Sequence, residues 1–221
     1  MRAVRLRFLV IALLIFTFAC NVASAGVAIP DPALDESPTT TKSERVAVVA
    51  GGCFWGIQAV FQHVKGVIDV KAGYAGGSAD TAHYEIVSSG RTAHAESVRI
   101  KYDPSQISYG QLLKVFFSVA HNPTELNRQG PDHGTQYRSA IFCSNEEQQR
   151  IAKAYIDQLN QVKVFGQPIV TVVSVGNPFY EAEAYHQDYA VHHPNEPYIV
   201  INDLPKVANL RKQFPNLYVS R

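Results

Sequence analysis

The sequence predicts an α/β domain of two layers, a mixed and largely antiparallel sheet with helices packed on it. Stretches of helical period and of strand period alternate along the chain. Several of the strand stretches alternate apolar with polar residues, as strands with one solvated face do. One late stretch, residues 169–175, is rich in β-branched residues and reads as a central strand.

The first folded element is the apolar run Val46-Ala47-Val48-Val49-Ala50, a strand that ends on Gly51 and Gly52. A helix follows, with Ile57, Val60, Phe61 and Val64 at i, i+3, i+4 and i+7. Residues 67–74 form a second strand that closes in Gly73-Tyr74-Ala75-Gly76-Gly77, turn glycines whose spacing matches neither the dinucleotide fingerprint nor the P-loop. A loop carrying Tyr84 leads to Glu96-Ser97-Val98-Arg99-Ile100-Lys101-Tyr102, a strand closed by Asp103-Pro104. Glu96 shares its parity with Val98, Ile100 and Tyr102, so it points inward. Ser108-Tyr109-Gly110-Gln111 has the spacing of a capping box and opens a helix that buries Leu112, Phe116, Val119 and Ala120. A polar loop through Asn122-Pro123 and Gly130-Pro131-Asp132-His133-Gly134 enters a strand over residues 137–143. A helix over residues 146–160 and the strand at 169–175 follow. The chain then passes Pro178-Phe179-Tyr180 and the run Tyr185-His186-Gln187-Asp188-Tyr189 to a short helix over residues 205–213.

Residues 1–25 read as a secretory signal: Arg2, Arg5 and Arg7, then an apolar run over 8–19, then the small-residue site Ala23-Ser24-Ala25. An uncleaved anchor is disfavoured by the shortness of that run. Lipidation at Cys20 is disfavoured by the poor match of Thr17-Phe18-Ala19 to a lipobox. The expected location is therefore secreted or periplasmic, where thiols tend to be oxidised. Residues 26–44, rich in Pro, Ser, Thr and acidic groups, read as a flexible linker, and residues 45–221 as the catalytic domain. The chain carries a net charge of +1, and beyond the leader no Lys/Arg cluster suggests nucleic acid. No second apolar run approaches the ~20 residues of a membrane span. Cleavage after Ala25 leaves Cys53 and Cys143, too few for a disulfide framework.

Chemistry concentrates at Gly51-Gly52-Cys53-Phe54-Trp55-Gly56. Strand, glycine turn and helix place Cys53 at a helix N-terminus, where unpaired N–H groups and the helix dipole favour thiolate over thiol. Glu96, partly removed from water, can hold a proton near neutrality. His186, His192 and His193 are not completed into a metal-ligand set.

Gly52-Cys53-Phe54-Trp55-Gly56, Gly90-Arg91-Thr92-Ala93-His94-Ala95-Glu96 and Asp132-His133-Gly134-Thr135-Gln136-Tyr137-Arg138-Ser139, in that order, closely resemble the A-type peptide methionine sulfoxide reductases over roughly residues 46–214. The resemblance implies that Cys53 attacks the sulfoxide sulfur of methionine S-sulfoxide, in proteins or as the free amino acid, and becomes a sulfenic acid. It assigns the acid to Glu96, the hydroxyls that hold the sulfoxide oxygen to Tyr84 and Tyr137, a place near the substrate to Asp132, and the S-methyl pocket to Phe54 and Trp55. It implies no flavin, nicotinamide or metal, since thiols supply both electrons.

The chain departs from many relatives in having no cysteine after Cys143. With Tyr137 and Cys143 on one strand, about 20 Å would separate them, too far for a disulfide. The expectation is a structural Cys143 and an external reductant, either a thioredoxin-like or glutaredoxin-like protein or a small thiol, serving a monomer. Two alternatives stay open. One is a cysteine hydrolase or acyltransferase using Cys53 with His94, His133 or His186. The other is a secreted binding protein with a Cys53–Cys143 disulfide.

Overall fold

The computed structural model describes residues 28–221, so the leader read over residues 1–25 and Cys20 lie outside the described residues. The chain enters the sheet at β1 (Arg45–Gly51), turns into α1 (Phe54–Gln62) and returns along β2 (Val67–Ala75). Next come α2 (Tyr84–Val87), β3 (Ala95–Tyr102) and α3 (Tyr109–Val115), which runs on as a π-turn, Phe116–Ala120. Two short strands, β4 (Arg128–Gln129) and β5 (Asp132–His133), pinch the following loop before a 3-10 turn at Thr135–Tyr137. β6 (Ser139–Cys143), α4 (Glu146–Gln161), β7 (Val172–Val175) and β8 (Phe179–Glu181) follow. The chain ends with α5 (Tyr189–His192), a second π-turn at Ile199–Asp203 and α6 (Leu204–Gln213).

The main sheet has the order β7-β6-β1-β3-β2-β8, with the β6–β7 pair parallel and the others antiparallel. This is the mixed, largely antiparallel sheet the sequence predicts. On its core face Ala47, Val49, Val70, Ala72, Val98, Ile100 and Tyr102 pack against Ile57, Val60, Phe61 and Val64 of α1 and its flank. The other face carries the smaller set Val48, Ala50, Ala75, Ala95 and Ala140 with Phe142. The inward parity of β3 holds from Tyr102 back to Glu96, which is buried on the face that α1 covers. Ser108 makes the capping box with Gln111, and the predicted stripe of Leu112, Phe116, Val119 and Ala120 is buried.

Four segments differ from expectation. The strand read as central at 169–175 is shorter and lies at the sheet edge, bonded only to β6. Residues 169–171 are drawn away instead: the Val170 N–H donates to the Pro123 carbonyl, and the Thr171 and Ser139 hydroxyls bond at 2.7 Å. β-Branching reports fit to a pleated surface and not the number of strand neighbours. Tyr137 belongs to the 3-10 turn before β6, not to the strand, and Tyr84 opens a four-residue helix too short to show a period.

The fourth difference is the segment read as a flexible linker, which is strapped to the domain over residues 29–36. Ile29 is buried in the core, and the Tyr155 hydroxyl donates to the Pro30 carbonyl at 2.7 Å. Asp35 accepts from the Gly110 N–H at 2.7 Å and from the Ser108 hydroxyl, and Glu36 accepts from the Tyr109 N–H at 3.1 Å. The two carboxylates therefore cap the N-terminus of α3, a use of acidic residues that composition alone does not reveal. Glu36 also accepts from the Tyr102 hydroxyl and pairs with Arg45 while remaining buried. Replacing Glu36 with Ala leaves these buried donors unpaired, at an expected cost of about 2–4 kcal/mol. Urea denaturation of Glu36→Ala beside wild type measures it, and an unchanged midpoint contradicts the anchoring role.

Candidate active site

β1 ends against the first turn of α1, and Cys53 occupies the N-cap of that helix. Two glycines make the turn possible. Gly52 has φ +101°, which favours glycine, and a Cβ there would meet Gln129 at 2.6 Å. A Cβ on Gly56, in the first helical turn, would overlap the Asp203 carboxylate. What approaches the backbone at both positions is thus a side chain from a distant loop.

Glu96 lies beneath this turn, 2 % exposed, and its Oε2 accepts from the Phe54 N–H at 3.1 Å. Burial pushes its pKa up to about 8, against the pull of the Phe54 hydrogen bond, and the nearby Asp132 carboxylate adds to the rise. The Cys53 thiol lies close enough to this carboxyl for the two groups to shift each other's proton affinity. The expectation of a stabilised thiolate is overturned. Burial first, then the Glu96 and Asp203 carboxylates, push Cys53 well above the ordinary thiol range, and the Trp55 N–H offsets this only in part. The first N–H of the helix is given to Glu96 and not to the sulfur, so the helix end stabilises the carboxylate.

Tyr84 and Tyr137 are both close enough to this centre to feel it. Burial and then the Glu96 carboxylate raise each phenol, with Cys53 and Asp132 contributing to both. Their hydroxyls therefore stay protonated and remain donors. The Tyr84 N–H is held by Glu183, which also accepts from Tyr74. Asp132, on β5, accepts from the Tyr198 hydroxyl, and burial raises its carboxyl. Phe54 is buried against Tyr74 and His186. Trp55 stacks on Tyr189 at 3.7 Å and meets Tyr198 edge-on, and its indole N–H donates to His186 Nδ1 at 3.2 Å. All seven residues singled out from the sequence thus surround the N-terminus of α1.

The sequence reading did not assign Tyr189, Tyr198 or Asp203 to the site, and it considered His186 only as the base of a hydrolase or as a metal ligand. His186 is buried beside the Tyr84 ring, and burial lowers its pKa, so the imidazole is neutral. With Nδ1 accepting from Trp55, the proton sits on Nε2, which has no protein partner. The run Tyr185–Tyr189 is brought here by Gln187, whose side-chain amide donates to the Ala72 carbonyl and accepts from the Ala72 N–H. The polar-aromatic character of that run was the available signal. Asp203 is buried and paired with Lys206 at 3.0 Å. Its role is visible only once Gly56 is seen beside it.

Cys53 and Cys143 are both free and buried. β1 pairs with β6 so that Gly51 faces Ser139 and Val48 faces Phe142. Cys143 therefore lies at least about 13 Å along the sheet from the end of β1 at Gly51, beyond disulfide reach. It packs instead against the Tyr109 hydroxyl at 3.9 Å. Among the described residues no group of three or more His, Cys, Asp and Glu is placed to hold a metal ion.

Comparison with known proteins agrees with this geometry. The sequence profile of the family described as peptide methionine sulfoxide reductase matches residues 45–218. The chain is 63% identical over 172 residues to peptide methionine sulfoxide reductase MsrA 2 of Mesorhizobium japonicum, covering 78% of this chain and 88% of that protein. It is 54% identical to the MsrA 2 of Synechocystis sp., covering 84% of this chain and 88% of that one. Among solved structures it resembles reduced Mxr1 of Saccharomyces cerevisiae, with a TM-score of 0.61 and 32% identity over 72% of this chain and 90% of Mxr1. It also resembles methionine sulfoxide reductase A of Corynebacterium diphtheriae, with a TM-score of 0.60 and 30% identity over 78% of this chain and 88% of that chain. This chain belongs to the peptide methionine sulfoxide reductases, oxidoreductases that return methionine sulfoxide to methionine.

Proposed function

We propose that the chain reduces the S-epimer of methionine sulfoxide in proteins through a sulfenic acid on Cys53, and that it works outside the cytoplasm on electrons from an external thiol. The observation that carries the chemistry is the Glu96 carboxyl, buried beneath the turn that carries Cys53 and hydrogen-bonded to the Phe54 N–H, with burial pushing it up to about 8. A sulfoxide becomes electrophilic when its oxygen is protonated or strongly hydrogen-bonded. Glu96 supplies that proton, and the Tyr84 and Tyr137 hydroxyls hold the oxygen. Phe54 and Trp55 receive the S-methyl group, and Asp132, held by Tyr198, borders the substrate.

The step balances. Cys53 sulfur bonds to the sulfoxide sulfur, its proton passes through Glu96 to the oxygen, and collapse leaves Cys53–S–OH and methionine. The cysteine sulfur loses two electrons and the substrate sulfur gains them. An external thiol then displaces water to form a mixed disulfide with Cys53, and a second thiol releases Cys53 as thiol. The separation of Cys143 supports an external first thiol, from a thioredoxin-like or glutaredoxin-like protein or a small thiol. The leader sequence supports export, with cleavage after Ala25. The hydrolase reading lacks support: no described hydrogen bond joins a histidine to Cys53, while His186 is engaged with Trp55 and His94 with the Ser78 carbonyl.

Single turnover of pre-reduced protein with a peptide bearing S- or R-methionine sulfoxide is expected to yield one methionine and lose about one thiol, with the S-epimer only. Cys53→Ser yields none, and Cys143→Ser matches wild type. Loss of two thiols, or a Cys53–Cys143 disulfide found by mass spectrometry, contradicts the external-thiol step.

Glu96→Gln is expected to slow the same turnover about 10²- to 10⁴-fold, the range for a lost general acid. Its stability should move the other way. The carboxyl goes from an ordinary 4.5 to about 8 on folding, so the folded state binds the extra proton and stability falls as pH rises through that window. The Gln variant escapes this loss. Its thermal midpoint relative to wild type should be nearly equal at pH 4 and increasingly higher up to pH 8 to 9. A gap that does not widen contradicts the buried-acid assignment.

A further inference from the structure

Cys53 also lies in the wall of a cleft of about 620 Å³. One side of the cleft is the π-turn from Ser118 and the loop reaching Asp132, and the other is the C-terminal segment with Tyr198, Ile201, Asn202 and Lys206. The Tyr198–Asp132 hydrogen bond ties the two sides together. A methionine sulfoxide side chain has only five heavy atoms beyond its Cα, and a cleft of this volume has room for several residues. Ser118, 3 % exposed, is among the lining residues, and its hydroxyl has no hydrogen-bond partner within the protein. A buried donor without a partner is unfavourable, and an occupant that accepts from it removes that cost. π-Turns of the kind that carries Ser118 recur at functional sites.

The rims are apolar. Ile201 is 69% exposed and Leu126, next to the lining residue Glu125, is 68% exposed, the largest values among the described large apolar side chains. Val200 and Leu204 extend the patch beside Ile201. Exposed apolar side chains around a polar-floored cleft mark a surface that binds another chain. The Glu125 and Lys206 side chains give the walls charges of both signs, so the cleft selects no single charge.

We propose that this cleft is the subsite for the polypeptide on either side of the oxidised methionine, and that Ile201 and Leu126 select extended segments with apolar neighbours. The Ser118 hydroxyl donates to a backbone carbonyl of that segment. An extended chain offers such a carbonyl, whereas a helix has already used its own. The inference rests on Cys53 being the attacking atom, because the cleft matters only if the sulfoxide reaches that sulfur.

The test uses single turnovers of pre-reduced protein without added thiol, which isolates the sulfoxide step from the reductant. The substrates are N-acetyl-methionine-sulfoxide methylamide, a nine-residue peptide with leucines on both sides of the sulfoxide, and the same peptide with serines there. Wild type should prefer the leucine peptide over the methylamide by about tenfold or more in second-order rate. Ile201→Ser and Leu126→Ser should each remove several-fold of that preference, leaving rates on the methylamide and the serine peptide as in wild type. Ser118→Ala should slow both peptides and spare the methylamide. Equal losses on all three substrates, or none, overturn the proposal. So does a loss confined to multiple turnovers with a thiol donor, because the cleft would then seat the reductant. If wild type forms no methionine from the methylamide, the Cys53 reading itself has failed.

Discussion

Everything at the centre of this molecule depends on one hydrogen bond, from the Phe54 N–H to the carboxyl of Glu96. It joins the first turn of α1 to the start of β3 and decides who benefits from the positive end of the helix. The sulfur receives the next N–H, that of Trp55, and burial still keeps it a thiol. The Phe54 N–H pulls the Glu96 carboxyl down while burial pushes it up, and burial wins, so the site stores a proton beside a thiol and both groups stay neutral until a substrate arrives. For a substrate whose oxygen must be protonated as its sulfur is attacked, a neutral pair that moves one proton between its members is well matched. Neither a free thiolate nor a free carboxylate would need to persist in a dry pocket.

Dryness is the second constraint, and the C-terminal third of the chain supplies it. Gln187 pins the run that carries His186 to β2, and Tyr189 covers the indole of Trp55. Asp203 presses against the first turn of α1 where Gly56 leaves room. These groups set the electrostatics of the centre as well as its shape. Burial is the first cause of the raised values at Cys53, Glu96, Tyr84, Tyr137 and Asp132 alike. Loosening the C-terminal cover would admit water and return each of them toward its ordinary value.

What could be read from the sequence follows from the range of each interaction. The two-residue period of residues 96–102 placed Glu96 inward because parity is a property of a single strand. The glycine turn before Cys53 and the capping box at Ser108 are equally local. The placement of β7 at the edge was not legible, since the number of neighbours a strand has is settled by the rest of the sheet. Tyr198 and Asp203 lie more than a hundred residues from Cys53, and each has an unremarkable local sequence. The state of the Cys53 thiol was misread for a related reason: a helix N-terminus is local, but the acceptor that occupies it comes from another strand. Acidic residues at 35 and 36 looked like solvated linker because the helix they cap begins more than seventy residues later.

That separation has a kinetic side. The hydrogen bonds that hold the N-terminal strap to α3 and α4 close loops of 73 to 127 residues. Loop closure of that span costs only slightly more than a loop half as long, but it cannot be repaid until the far partners exist. The strap makes its contacts with α3, α4 and the sheet itself, so the start of the chain is a late-closing part of the core and not an addition to it.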